Sequence, residues 1–183
     1  MNGEDAMVTV LFADIRGFTH YADSATAREA VALLNEYFGV VVPVLEAHGG
    51  YAYQLLGDGV LAVFGAPVAL PEHADHAVAA AAAIVAAVGE RFAERCRVSI
   101  GVNSGLVIAG TIGGGSRFEF GVIGDPVNVA ARVEQATRQT GDAVLVTEAT
   151  RCLMENGAVL EPRGTLELKG KPAPVAVYAL GTT

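Results

Sequence analysis

Two cysteines in 183 residues, Cys96 and Cys152, form no C-x-x-C pattern and have no third or fourth partner. Counting alone therefore excludes a disulfide framework and a zinc cluster, and a reducing, cytoplasmic setting is the matching expectation. Positive charge is scarce too. Twelve Lys and Arg against twenty Asp and Glu leave a net charge of -8 and a pI near 4.9, opposite to what a protein gripping many phosphates along a duplex carries. Nucleic acid is not an expected partner. A small phosphorylated ligand stays open, because carboxylates can hold a metal ion that neutralises it locally. Long apolar runs are missing as well: the longest, Ala77 to Val88, is twelve residues and mostly alanine, short of the ~20 that a membrane span needs. No membrane contact by this domain is expected. The opening MNGEDAM carries two acids and no apolar core, so it does not read as a signal peptide.

What is present is a chain 52% hydrophobic and only 17% charged, far too apolar for a disordered tail. One domain spanning 1–183 is expected, and at this length it can bury about 70% of its unfolded surface without staples. Met7 to Phe12 is a β-branched run leading into Ala13-Asp14-Ile15-Arg16-Gly17-Phe18-Thr19, a buried strand that delivers an aspartate into a glycine-containing turn. Helical spacing of apolar residues follows from Ala25 to Leu45 and stops at Gly49-Gly50. Tyr51 to Leu56 and Val60 to Phe64 flank Gly57-Asp58-Gly59, a hairpin with an aspartate at its tip. His73 to Phe92 reads as an alanine-rich helix. Arg97 to Asn103 and Gly105 to Thr111 read as strands separated by a turn, and Phe118 to Ile123 as another. Gly124-Asp125-Pro126 opens a helix to about Thr140, with proline early, where its missing N–H costs nothing. Val144 to Thr147, a short helix to Asn156, and strands at Val159 to Pro162, Gly164 to Lys169 and Val175 to Leu180 complete the pass. The order predicts an α+β domain with a ferredoxin-like split β-α-β-β-α-β core and appended strands.

The chemistry lies in the turns. Asp14 and Asp58 end strands that neighbour each other in this topology, and two such carboxylates can coordinate one or two Mg²⁺ or Mn²⁺ ions. Taken singly, each also fits a plain turn role. Arg16-Gly17-Phe18-Thr19 shifts the balance: a turn that opens a helix directly after a metal-bearing strand presents free N–H groups and a positive dipole end to phosphate. Asn128 and Arg132 are four apart on one helix face. The amide can orient a sugar there, and the guanidinium can meet charge building on a phosphoryl group. A solvated surface pair is the other reading.

LFADIRGFT, GGYAYQLLGDGVLAVFG, FEFGVIGDPVNVAARVE and ELKGKPAPVAVYAL, in this order and at these separations, resemble the catalytic domain of the class III nucleotidyl cyclases over Met7 to Leu180. The resemblance implies an enzyme that makes 3′,5′-cyclic nucleotides from nucleoside triphosphates, releases pyrophosphate, and works as a homodimer with its sites between subunits. It places Asp14 and Asp58 on the two metal-binding aspartates and the Ile15 carbonyl on a backbone ligand. Asn128 falls on the ribose-orienting position and Arg132 on the transition-state arginine. Gln54 and Glu119 fall on the purine-reading pair, while Lys169 or Lys171 lies where the family has a lysine near the terminal phosphates. In the family arrangement the metal aspartates come from one subunit, and the purine pair, Asn128 and Arg132 from the other.

The purine pair departs from the family's adenylyl pattern, which has lysine at Gln54 and aspartate at Glu119. A Gln54 N–H can still donate to adenine N1 while Glu119 accepts from N6. Room for the longer Glu119 can come from Gly121, where relatives often carry threonine or serine. For guanine, Glu119 accepts from N1–H and the exocyclic amine while Gln54 donates to O6, so ATP is favoured and GTP stays open. Two other classes remain: a weakly active cyclase-like module that binds nucleotide and serves in regulatory dimerisation, and a different metal-dependent nucleotidyl transfer enzyme on a related split β-α-β scaffold, such as a diguanylate cyclase, disfavoured because no GGDEF-like segment is present.

Overall fold

The computed structural model describes residues 3–114, 117–168, 171 and 173–181. The first strand, β1 (Glu4–Ile15), leads through the short helix α1 (Phe18–Ser24) into α2 (Ala27–Ala47) and then the hairpin β2 (Tyr51–Leu56) and β3 (Gly59–Phe64). Next come α3 (His73–Phe92), β4 (Val98–Gly114), β5 (Arg117–Ile123) and α4 (Asp125–Thr140), followed by β6 (Val144–Thr147), α5 (Glu148–Arg151), β7 (Leu160–Leu166) and β8 (Val175–Leu180). Among the described residues the strands form one sheet in the order β2-β3-β1-β4-β6-β8-β7, with β5 paired to β4 off that path. The β4–β6 pair is parallel and every other pair is antiparallel. The expected split β-α-β core is present.

Alternation along β1 builds both layers, because successive side chains point to opposite faces. Leu11, Ala13 and Ile15 join the core beneath α2 and α3, whereas Val8 and Val10 join a second core with Val107, Val122 and Ala130 beneath β5 and α4. The helix α2 begins because Thr26 and Glu29 cap each other: the Thr26 amide donates to Glu29 Oε2 at 2.8 Å, and the Glu29 amide donates to Thr26 Oγ1 at 3.3 Å. Its stripe Leu33, Tyr37, Val41 and Leu45 repeats every four residues and is buried. Small side chains let α3 lie close, with Ala74, Ala77, Ala80 and Ala81 buried beside Ile84, Val88 and Phe92. By length and composition α2 and the stretch 73–95 could each cross a membrane, although the apolar run noted above is shorter. Both lay their buried stripe on the core.

Four sequence expectations change, one of them the short helix expected to reach Asn156, which ends at Arg151 as α5. The helix expected from Ala25 begins instead after Thr26, because Ala25 is extended and separates α1 from α2. The turn expected at Ser104 does not form. Residues 98 to 114 run as one strand, since Ser104 pairs with Thr9 across the ladder and exchanges hydroxyl hydrogen bonds with Thr9 and Thr150. Likewise the two strands expected at Val159–Pro162 and Gly164–Lys169 are replaced by the single strand β7, which ends at Leu166 and in which Gly164 takes φ 85° at a register shift instead of ending the strand; Lys169 lies outside the described residues.

Candidate active site

The antiparallel register of β1 and β3 sets Asp14 opposite Gly59, so the hairpin tip carrying Asp58 lies beside the end of β1. Glycine is required on both sides of Asp58. Gly57 adopts φ 63°, and a Cβ on Gly59 would stand 3.0 Å from the Phe12 ring and 3.4 Å from the Ala13 carbonyl. The two carboxyls are close enough to share a hydrogen bond, and the Ile15 amide donates to Asp14. Burial, the Asp58 hydrogen bond and charge, and the Glu134 charge together push the Asp14 carboxyl up to about 7. Its Oδ1 is buried with no hydrogen-bond partner among the described residues. An orphaned carboxylate oxygen beside a second carboxylate is the hard oxygen donor set that suits a divalent cation, so Asp14 and Asp58 fit the metal expectation.

The phosphate turn is only partly available. Gly17 caps α1 at φ 79° with nothing within 4 Å of where a Cβ would stand, while Phe18 packs on the core and Thr19 is exposed. Arg16, expected to meet phosphate, is spent internally: its amide donates to the Arg97 carbonyl, and its guanidinium to Ser99 Oγ at 3.1 Å and to the Asp142 carbonyl at 2.8 Å. It ties β1 to β4 and to the loop before β6. Lys171 forms an ion pair with Asp125 at the start of α4. Lys169 lies outside the described residues.

Asn128 is exposed and Arg132 half-buried on α4, one turn apart as the spacing predicts. Gln54 and Glu119 are both exposed, on β2 and β5. A register shift between Ala52 and Gln54 makes Tyr53 the extra residue and sets Gln54 opposite Leu61. Phe120, next to Glu119, meets Tyr51 and Tyr53 edge-on at 5.6 and 6.4 Å between ring centroids. The segments bearing the expected purine pair are therefore packed together. Gly121 does not leave open room, since a Cβ there would run into Ile112.

Two buried polar groups near Asp14 escaped the sequence reading. Among the described residues neither Tyr37 Oη, at the centre of α2, nor Glu134 Oε1, on α4, has a hydrogen-bond partner. Glu134 falls four residues after Ala130 on that helix's buried stripe, and a charge on an apolar stripe was the available signal. Burial raises the Glu134 carboxyl to about 7, with the Asp58 charge adding and Arg138 and Arg16 opposing.

These shifts fix a pH dependence. The folded chain keeps the Asp14 and Glu134 protons up to about 7, whereas the unfolded chain releases them near the ordinary values of 3.8 and 4.5. The folded state thus binds more protons in between, and stability falls as pH rises through that window. His73 opposes this, because burial lowers its pKa from 6.5. Without divalent cations the melting temperature is expected to be higher at pH 5.5 than at pH 8, and Asp14→Asn to flatten the slope. A cation-free melting point that rises from pH 5.5 to 8 contradicts it.

Residues 2–182 match the family model described as the adenylate and guanylate cyclase catalytic domain. Adenylate cyclase 1 of Rhizobium meliloti is 34% identical over 179 residues, covering 93% of this chain and 27% of that protein. An uncharacterized protein of Mycobacterium tuberculosis is 39% identical over 177 residues, 96% of this chain and 31% of the relative. The chain thus spans less than a third of these relatives. Among solved structures, the guanylyl cyclase Cya2 superposes with a TM-score of 0.91 at 30% identity over 98% of this chain and 94% of that one. The adenylyl cyclase CyaB from P. aeruginosa gives 0.90 at 26% identity over 100% and 97%. The chain belongs to the class III adenylyl and guanylyl cyclase catalytic domain family.

Proposed function

We propose that this domain converts ATP to 3′,5′-cyclic AMP and pyrophosphate at sites shared between two copies of the chain. The observation that carries the reading is the pairing of Asp14 with Asp58 around a buried oxygen that has no donor among the described residues. Asp14, Asp58 and the Ile15 carbonyl would hold two divalent cations, Mg²⁺ or Mn²⁺. Such ions, when bound, lower the pKa of the ribose 3′-hydroxyl and offset charge on the triphosphate.

The chain's own residues do the rest. Asn128 orients the ribose, and Arg132 donates to the oxygens that gain charge as the α-phosphorus is attacked, where a preplaced cation acts without reorganising. The amides of Gly17, Phe18 and Thr19 face the triphosphate in place of the Arg16 side chain. Gln54 donates to N1 and Glu119 accepts from the exocyclic amine of adenine. An exposed apolar face of Met7, Leu106, Ile108, Ile112 and Ile123 continues along β1, β4 and β5. A second copy would cover it and bring its Asn128 and Arg132 to the aspartates. A cytoplasmic setting supplies the nucleotide.

The neutral Gln54 amide favours one second reading, a guanylyl cyclase, because it can donate to guanine O6 as well as to adenine N1. Rates on ATP and GTP, side by side with Mg²⁺ and with Mn²⁺, separate the two. Cyclic AMP formed faster than cyclic GMP is the expected result. Faster cyclic GMP transfers the assignment to GTP, and bound nucleotide without cyclic product overturns the enzymatic reading.

A further inference from the structure

One carboxylate near the site has no role in the scheme above. Glu134 is 1% exposed, and its buried Oε1 has no hydrogen-bond partner among the described residues. Its place is set by backbone packing: a Cβ on Gly101 would collide with the Ala130 carbonyl and the Glu134 amide and stand 2.9 Å from Glu134 Cα. The helix α4 thus rests directly on β4 at Gly101. Across the ladder Gly101 pairs with Phe12 and Ser99 with Asp14, two residues further along the same face, a separation of about 7 Å. Electrostatic influence runs between the groups as that placement requires, from Glu134 to Asp14 and from Asp58 to Glu134. Among the described residues no three His, Cys, Asp or Glu side chains are gathered to hold one ion, so Glu134 is not a third ligand.

Resting on the reading of Asp14 and Asp58 as cation ligands, we propose that Glu134 is a positioning residue for the cation site: a buried anion behind the two ligands that strengthens their hold on a divalent cation at the expense of the cation-free fold. The two effects have one cause. A buried carboxylate facing two others lacks solvation and is repelled, and a doubly charged ion between the other two relieves that repulsion. Outer partners of this kind commonly alter metal affinity by about 10-fold to 100-fold. Arg138, four residues further on α4, and Arg16 offset part of the charge without sharing the site.

Direct Mn²⁺ binding to the whole chain at pH 8, above the point near 7 up to which Glu134 keeps its proton, read from the electron paramagnetic resonance signal of free Mn²⁺ without nucleotide and with melting temperatures taken at the same pH, tests this apart from turnover. Glu134→Gln is expected to weaken Mn²⁺ binding by about 10-fold and to raise the cation-free melting temperature. Glu134→Asp, which keeps the charge, is expected to bind within about threefold of wild type and serves as the reference if the glutamine variant misfolds; binding weakened there by 10-fold or more counts against the proposal. Wild-type affinity in Glu134→Gln overturns the proposal and leaves the ligands standing, and so does unchanged affinity with a lower melting point, the mark of a structural acceptor. If Asp14→Asn binds Mn²⁺ as well as wild type does, the ligand assignment itself falls.

Discussion

Arg132→Ala is expected to lower cyclic nucleotide formation by about 10³ or more, the range found when an arginine that meets transition-state charge is removed from phosphoryl-transfer enzymes. The side chain is half-buried on α4, one turn beyond Asn128, so its loss removes a guanidinium without opening the core. Mn²⁺ affinity should hold, because both proposed cation ligands, Asp14 and Asp58, remain in place. Asp14→Ala should be equally inactive for the opposite reason, with Arg132 intact and the cation lost. Mixing the two inactive proteins then distinguishes the arrangements. In a shared-site dimer every hybrid has one site carrying both defects and one carrying neither. Random pairing makes half the dimers hybrid, so an equimolar mixture should recover about a quarter of wild-type activity. A mixture as inactive as its parts would mean that the aspartates and Arg132 serve one protomer, and the proposed dimer would be abandoned.

Much of this site was legible because its signals are local. A β-branched run ending in Asp14, glycines flanking Asp58, and a four-residue spacing from Asn128 to Arg132 each specify a backbone shape within a few residues, and the structure keeps all three. What was not legible depends on distant partners. Ser104-Gly105 looks like a turn until the Thr9 and Thr150 hydroxyls, 95 and 46 residues away, satisfy Ser104 and let β4 run through. Arg163-Gly164 looks like a strand end, yet Arg163 pairs with Asp142 at 2.9 Å and holds the bulged strand in register. A basic side chain near a phosphate turn reads as a phosphate ligand. Whether it finds phosphate or an internal acceptor is a tertiary fact, and Arg16 finds Ser99 and the Asp142 carbonyl. Glu134 shows the same limit from the other side. Its helical phase reveals burial, but only the sheet beneath reveals that it faces Asp14 and Asp58.

Gly101 is the point where fold and site are joined most tightly, and Gly101→Ala should show it. The strand cannot retreat, because Gly101 is flanked by Phe12 on β1 and Leu145 on β6. The obstructing atoms are the Ala130 carbonyl and the Glu134 amide and Cα, backbone that no rotamer change can move. The helix must therefore lift, and it carries Asn128 and Arg132 with it. Overpacking against yielding side chains costs about 1–3 kcal/mol; against a rigid helix backbone the cost should exceed about 3 kcal/mol, lowering the melting temperature by about 10 °C for a chain of this size. Gly89→Ala makes the same one-carbon change on the exposed side of α3, where nothing lies within 4 Å of the added carbon. It should raise the melting temperature by a few degrees, since glycine costs a helix interior up to about 1 kcal/mol relative to alanine. Activity separates the two further. At a temperature where both variants remain folded, Gly89→Ala should turn over like wild type, and Gly101→Ala should lose at least about 10-fold, because displacement of catalytic groups by about 1 Å is enough for a loss of that order or larger. Equal melting points for the two would mean that α4 does not rest on β4 at Gly101, and the placement of Glu134 behind the aspartates would go with it.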